Sequence, residues 1–306
     1  MASRLAWLGS LKSTQLKALA VAIGANSSGT KAHLTTELRT RLANGIFPSV
    51  SSRHNAAKAK TIVSIDMGIK NLAYCRLNPS TSPGKKPRLV EWKRIDVFNP
   101  TTPSDLEDDR HGNAGKDVYH PAIYASAAYN IITTLLQPNY ETHILIERQR
   151  FRSMGGASVL EWTLKVNMFE AMLYAVLETL KKQGIWEGEV HDIRPGHVSL
   201  FWLGKGGDTL KGGKRSEKKL QKKKDTIALV GKWLEDSYSL GVEGVAKETA
   251  TGYLERLKGE RKSPRFQKLD DLADCVAQGM AVLKWEENQR MIWEEGENVL
   301  AKIEKG

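Results

Sequence analysis

The sequence predicts a mixed α/β fold, in which a five-stranded sheet is flanked by helices and preceded by a small helical hairpin. Three observations support this prediction. Segments of strand length come first as a group of three and then alternate with longer amphipathic segments, which gives the order βββ-α-β-α-β-α. Two apolar strands end in a carboxylate. The residues before the first strand have leucines at helical spacing.

The N-terminal part, residues 5–42, divides into two amphipathic helices separated by a Gly-rich turn at 24–31 that offers a helix N-cap. Its first 36 residues contain no Asp or Glu. That composition fits a mitochondrial transit peptide, and it equally fits a folded basic module. Residues 48–60 are polar and without periodicity, which is typical of a linker.

The first strand is predicted at 61–66 and ends at Asp66. Gly68 allows a turn, and two further strands follow at 71–77 and 88–98, so the short connections favour an antiparallel meander. The remaining elements are predicted as helices at 119–136, 159–180, 227–234 and 269–284 and strands at 143–147 and 189–193. The strand at 143–147 also ends in a carboxylate, Glu147.

The net charge of +11 is concentrated in a few stretches. The basic segment, Lys205–Lys224, has nine Lys or Arg against two acids, and its four glycines favour a mobile loop. Residues 256–268 form a second basic loop. Clustered positive charge predicts a polyanionic partner. The two cysteines, Cys75 and Cys275, lack the spacing of a zinc site, and no apolar run is long enough to span a membrane.

The last predicted helix carries a narrow polar stripe on an otherwise apolar surface. Asp274 shares a face with Asp270 and Asp271, at four and three residues' separation. N-capping explains Asp270 and can explain Asp271, but it does not explain Asp274, one turn inside the helix. Acids at two strand ends and on this helix, in a basic protein, indicate a site for divalent cations acting on a phosphodiester.

This layout is that of the RNase H-like fold, in which the first and fourth strands are parallel neighbours, so Asp66 and Glu147 would lie side by side. The motifs SIDMGIKNLAY, ILIERQRFR and KLDDLADC resemble those of the fungal mitochondrial Holliday-junction resolvases, and the N-terminal hairpin resembles the DNA-binding SAP module. The resemblance implies a homodimer that binds four-way junction DNA and makes paired symmetrical nicks. It also implies Mg²⁺ dependence with Mn²⁺ as a substitute, no small-molecule cofactor, and a mitochondrial location, with a nuclear one as the alternative.

Carried over to this sequence, the resemblance makes Asp66, Glu147 and Asp274 catalytic acids. The fourth acid is Asp270 or Asp271, and we expect Asp66, Glu147, Asp271 and Asp274 to be the metal ligands. The predicted DNA-binding residues are basic side chains from four parts of the chain: Lys12, Lys17, Lys31, Lys70, Arg148, Arg150, Arg152, Lys214, Arg215, Lys218, Lys219, Lys222, Lys223 and Lys224.

The predicted domain organisation is a SAP-like module at 1–47, a linker at 48–60 and a nuclease domain at 61–306. The hairpin either binds DNA or only packs on the main domain, and one unit can do both. Two alternatives to a nuclease stay open. A non-catalytic junction-binding protein would lack an acid, and none is missing. An actin-like kinase or ATPase would need a second Gly-rich loop where this chain reads Glu-Arg-Gln-Arg.

Overall fold

The computed structural model describes residues 4–45, 59–80, 85–98, 120–137, 140–149, 161–204, 215–236, 238–260 and 268–303. Its strands are β1 (Ala59–Asp66), β2 (Leu72–Asn78), β3 (Arg88–Ile95), β4 (Tyr140–Glu147), β5 (Val190–Ile193) and β6 (Gly241–Val242). Its helices are α1 (Ser13–Ala22), α2 (Lys31–Asn44), α3 (Pro121–Leu135), α4 (Glu161–Lys182), α5 (Pro195–Leu203), α6 (Arg215–Asp236), α7 (Ala246–Leu257), α8 (Leu269–Glu295) and α9 (Leu300–Ile303). Short 3₁₀ helices lie at Ala6–Gly9 and Gly296–Val299.

The strands of this described part form one mixed sheet in the order β5-β4-β1-β2-β3-β6. Strands β1, β2 and β3 are an antiparallel meander, and β4 pairs parallel to β1 with β5 parallel beyond it. The predicted meander and the parallel β1–β4 pair are therefore confirmed. The predicted count of five strands is wrong, because the two-residue strand β6 extends the other edge by pairing with β3.

Alternation along β1 assigns its side chains to two different layers. Val63 and Ile65 are fully buried in a cluster that also contains Phe169 of α4 and Ile132 of α3. Ser64 points the other way, since it accepts a hydrogen bond from Gln278 of α8. A strand repeats every two residues, so Asp66 lies on the same side as Ser64, facing the α8 layer.

Helix α4 is confirmed as an amphipathic core helix, but apolar side chains in its first turn lie outside the core. Phe169, Leu173 and Leu177 are fully buried. Trp162, two turns before Phe169, is 44% exposed, and Leu164 is 49% exposed. The start of α4 therefore presents apolar side chains to solvent.

Helix α8 packs very closely on the opposite face of the sheet. A Cβ atom at Gly279 would lie 2.5 Å from Leu77 Cδ1 and 3.2 Å from Ser64 Cβ, so the approach requires a glycine. Here the two cysteines, 200 residues apart in sequence, meet: the Cys75 thiol donates to the Cys275 carbonyl over 3.4 Å. Both are buried and neither forms a disulfide.

The chain divides into two compact units. The sheet unit comprises 57–193 and 223–279, and the hairpin unit comprises 1–56, 194–222 and 280–306. In the hairpin unit α1 and α2 form the predicted hairpin, and Thr30 caps α2 by accepting from the His33 amide. The predicted organisation, a module at 1–47 and a nuclease domain at 61–306, stays a prediction. The linker predicted at 48–60 lies largely outside the described residues.

The hairpin shares its core with the end of the chain. Leu16, Leu19 and Leu38 are fully buried in one cluster with Ile292 and Val299. Within the same unit Asn288 donates to the Ala22 carbonyl over 2.7 Å. The hairpin therefore packs on residues 292–299 of its own unit, and whether it binds DNA stays a prediction.

Several helices in the second half were not predicted. The last half of the basic segment is helical and belongs to the 22-residue α6, which begins well before the helix predicted at 227–234. Helices α5 and α7 were missed altogether, and α8 extends to Glu295, beyond its predicted end at 284. Among the helices that the structure describes, none has the length and apolarity to cross a membrane.

Leu19→Ala should lower the free energy of unfolding by about 2–5 kcal/mol, because it empties a fully buried position in the hairpin core. Lys17→Ala, on the same helix but exposed, is the matched control and should change it by less than about 0.5 kcal/mol. Denaturant unfolding of both variants checks this. Equal stabilities would mean that the shared core contributes nothing.

Candidate active site

Strand register brings Asp66 and Glu147 together, as predicted. Ile65 of β1 pairs with Ile146 of β4, so the next residue on each parallel strand is an acid. The Glu147 carboxyl group raises the pKa of Asp66, both as a hydrogen-bond partner and through its negative charge.

Helix α8 adds the third part of the cluster. Asp270 and Asp271 lie in its first turn and Asp274 one turn later. The charges of Asp271 and Asp274 both act on Asp66, and that of Glu147 acts on Asp274. The structure therefore assembles an acid cluster, which we define as Asp66, Glu147, Asp271 and Asp274.

Crowding and burial raise the pKa of the three aspartates of this cluster. Burial, followed by Glu147, raises the pKa of Asp66 well above its usual range. Burial and then Glu147 raise the pKa of Asp274 to about 7, against the opposing charge of Lys223. Burial and then the neighbouring Asp270 raise the pKa of Asp271 to about 6. Without a cation the site resists full ionisation near neutral pH.

Asp270 differs from the cluster because it has a cationic partner. Lys223 of α6 donates a hydrogen bond to its carboxylate, and the two form an ion pair. Burial alone would raise the pKa of Asp270, but Lys223 outweighs burial and lowers it. Lys223 also lies near Asp271 and Asp274. Sequence reasoning assigned Lys223 to the DNA backbone and missed its place beside the acids, which no local signal reveals.

Buried hydrogen bonds and one aromatic contact link α6 and α8, the helices that carry Lys223 and the three aspartates. Trp92 Nε1 donates to the Leu272 carbonyl of α8 over 3.0 Å, and Thr249 Oγ1 of α7 donates to the Trp92 carbonyl over 2.8 Å. Tyr253, also on α7, stacks at 5.0 Å from Trp92 and donates to the Ile227 carbonyl of α6 over 2.9 Å. Ile227 lies one turn after Lys223 on α6. Helix α7 therefore connects α6 to α8, directly at Ile227 and through Trp92 at Leu272.

The chemistry of the cluster fits a hard divalent cation. Its ligands are carboxylate oxygens, and Asp271 Oδ2 is buried without a hydrogen-bond partner. Two positive side chains, Arg94 and Lys268, lie near Asp271 and lower its pKa, but they do not cancel the effect of burial. Over the described ranges, no three His, Cys, Asp or Glu side chains are already arranged as a metal site.

The structure places the predicted DNA-binding residues in different settings. Lys12, Lys17 and Lys31 are exposed in the hairpin unit, and Lys70 is exposed just after β1. Lys218, Lys219, Lys222, Lys223 and Lys224 all lie on α6. Arg148 directly follows β4 and pairs with Asp192 over 3.2 Å. Arg150, Arg152 and Lys214 lie outside the described residues, and the Arg215 side chain is not described.

Comparison with known families gives one match to most of the chain. The model described as "Mitochondrial resolvase Ydc2 / RNA splicing MRS1" matches residues 62–292. That span contains every acid of the cluster together with Asp270 and Lys223.

Two curated proteins are similar to this chain, and both are named "Cruciform cutting endonuclease 1, mitochondrial". The Schizosaccharomyces pombe protein is 30% identical over 178 residues, which are 58% of this chain and 60% of that protein. The Saccharomyces cerevisiae protein is 25% identical over 312 residues, covering 92% and 84%. The crystal structure of the yeast mitochondrial Holliday junction resolvase Ydc2 has a TM-score of 0.60 at 23% identity, covering 95% of this chain and 98% of that one.

The raised pKa values predict that the metal-free protein loses stability as pH rises. The unfolded Asp274 ionises near 3.8, but the folded one keeps its proton to about 7, so the folded state binds more protons in between and its stability falls across that window. Asp274→Asn should flatten the decline. Denaturant unfolding in EDTA at several pH values tests this, and identical pH profiles for wild type and variant would contradict it.

Proposed function

The chain belongs to the mitochondrial resolvase Ydc2 / RNA splicing MRS1 family, and we propose that it is a metal-dependent endodeoxyribonuclease that resolves four-way DNA junctions in mitochondria. The observation that carries this proposal is the acid cluster, assembled from the ends of two parallel strands and one helix. The related proteins named cruciform cutting endonuclease support the choice of substrate.

Asp66, Glu147, Asp271 and Asp274 would hold the metal. Two Mg²⁺ ions, for which Mn²⁺ would substitute, can activate a water and stabilise the leaving oxygen of a phosphodiester. The protein's own part is to fix the ligand oxygens and to bring positive charge to the phosphate. Lys223, already beside the acids, is positioned to contact a phosphate there once Asp270 releases it.

The structure favours Asp271 over Asp270 as the fourth ligand. Asp271 has a buried oxygen without a partner and a raised pKa, as a ligand awaiting a cation would have. Asp270 is neutralised by Lys223. We propose that Asp270 orients Lys223 and does not bind metal.

The family description also includes an RNA-splicing protein, so a non-catalytic role is the competing function. A protein that only bound nucleic acid would gain nothing from four carboxylates in one site that repel phosphate. Retention of all four supports catalysis. The family match gives no support to an actin-like kinase or ATPase.

Positive surfaces would bind the DNA. We propose that the α6 lysines, Lys70, Arg148, Arg150, Arg152, Lys214 and Arg215 contact backbone near the cut, and that Lys12, Lys17 and Lys31 give the hairpin a SAP-like role. Paired nicks need two sites, and we propose a homodimer. The exposed Trp162 and Leu164 support α4 as part of its interface.

The proposed activity is tested with a labelled four-way junction and a duplex of matched sequence, each incubated with Mg²⁺ or with EDTA. We expect symmetrical nicks only in the junction and only with Mg²⁺. Cleavage in EDTA would rule out the metal mechanism, and equal cutting of the duplex would rule out junction specificity.

Neutral substitution of any proposed metal ligand should abolish cleavage, because the metal loses a ligand. Junction binding should stay intact or become stronger, because a charge that repels phosphate is lost. The variants are Asp66→Asn, Glu147→Gln, Asp271→Asn and Asp274→Asn. Asp270→Asn should retain cleavage reduced by about tenfold, as expected of a residue acting through another. Binding is measured in EDTA and cleavage in Mg²⁺. Full loss in Asp270→Asn with activity in Asp271→Asn would reverse the proposed ligand assignment.

Lys219→Ala combined with Lys224→Ala should weaken junction binding and flatten its salt dependence, because both are exposed on α6. Each lost phosphate contact lowers the slope of log K against log salt by about 0.9. Lys232→Ala, exposed further along the same helix, is the control. An unchanged slope in the double variant would show that these lysines are only solvated.

A further inference from the structure

Gln278 is a buried amide on an otherwise apolar stretch of helix α8. Its side chain is 4% exposed, and the residues just before it, Val276 and Ala277, are buried and apolar. Asp274 lies one turn earlier, so the two polar side chains share one face of the helix. Packing alone favours an apolar side chain at such a position, because a buried amide is costly unless it is hydrogen-bonded. The partners of Gln278 therefore explain why an amide stands here.

The Gln278 side chain holds strand β1 at two consecutive residues. Its Nε2 atom donates to Ser64 Oγ over 3.0 Å and to the Ile65 carbonyl over 3.2 Å. A backbone carbonyl can only accept a hydrogen bond, so the atom that faces Ile65 must be the amide nitrogen, whose two N–H groups serve the two acceptors. The orientation of the Gln278 amide is fixed by these partners.

The Ile65 carbonyl lies in the same peptide plane as the Asp66 amide. Because that plane is rigid, a hydrogen bond to the carbonyl restricts rotation of the whole unit and so restrains the Cα atom of Asp66. On the helix side, Gln278 follows Asp274 by one turn. A single side chain thus connects the peptide unit that leads into Asp66 to the helix face that carries Asp274.

Close packing beside Gln278 keeps this connection short. The next residue, Gly279, has no side chain, and a Cβ atom there would lie 3.2 Å from Ser64 Cβ. Helix α8 therefore contacts β1 at a residue to which Gln278 donates. Ser64 is fully buried and Gln278 nearly so, which shields the contact from solvent. Water does not readily replace a donor lost from such a site.

We infer that Gln278 is a positioning residue for the acid cluster: by binding β1 just before Asp66, it sets the spacing between Asp66 and Asp274. The inference deepens the proposed function and rests on both aspartates being metal ligands. Groups that orient metal ligands without touching the metal change metal affinity or activity by about 10–100-fold when they are removed.

The test compares wild type with two substitutions of Gln278. Gln278→Met keeps the length of the side chain and removes the donor. Gln278→Asn keeps an amide but shortens the side chain by one CH₂ group, which withdraws the donor from Ile65. Asn288→Leu is the matched control, because Asn288 is also a buried amide on α8 and donates to a backbone carbonyl, that of Ala22, within the hairpin unit.

Three quantities are measured on each full-length variant: the free energy of unfolding in EDTA, the Mn²⁺ affinity without DNA, and junction cleavage in Mg²⁺. The electron spin resonance signal of free Mn²⁺ gives the affinity. We expect both Gln278 variants to bind Mn²⁺ about tenfold more weakly than wild type, or worse. Asn288→Leu should lose stability, because it also deletes a buried hydrogen bond, but it should keep the wild-type Mn²⁺ affinity. Gln278→Asn decides the comparison if Gln278→Met does not fold.

Wild-type Mn²⁺ affinity in a folded Gln278 variant would overturn the inference. An equal loss of affinity in Asn288→Leu would overturn it as well, because the effect would then follow stability alone. Wild type that binds no Mn²⁺ would also overturn it, since Asp66 and Asp274 would not be metal ligands. If the Mn²⁺ affinities differ as expected but wild type cuts no junction, the proposed activity fails and the positioning role stands.

Discussion

The sheet unit must hold four carboxylates close together and partly out of water, and much of its architecture can be understood from that requirement. Like charges in a poorly solvated site favour separation of the groups or their protonation. The fold keeps the carboxylates from moving apart by placing Asp66 and Glu147 on adjacent parallel strands, each directly after a paired residue. Burial and crowding then raise the pKa of Asp66, Asp271 and Asp274, and a bound cation would favour their ionised forms.

The position of helix α8, which carries Asp271 and Asp274, depends on its close packing against the sheet. Helix α8 approaches the sheet at Gly279, where a side chain would collide with Leu77. Gln278 reinforces the contact by donating to Ser64 Oγ and to the Ile65 carbonyl, one residue before Asp66. One turn earlier on the same helix face lies Asp274. The rotation of α8, and so the direction of its acids, is set by a small residue and an amide in the core.

The sequence predicts the positions of the acids well, because each acid has a local signal. Apolar strands ending in Asp66 and Glu147 are visible directly, and the polar stripe at Asp274 stands out on an apolar helix. Lys223 carries no such signal, because it is one of nine cations in a biased segment and its partner is 47 residues away. Strand β6 has two residues and no periodicity to detect, and the contact of Cys75 with Cys275 depends on tertiary packing alone.

The core of the hairpin has a consequence for the order in which this unit can fold. Leu16 and Leu19 pack in one cluster with Ile292 and Val299, which lie far along the chain from them. Helices α1 and α2 therefore cannot complete their core until residues 292–299 have been synthesised. Closure of this unit is a non-local step, and a long loop must be closed before the contacts form.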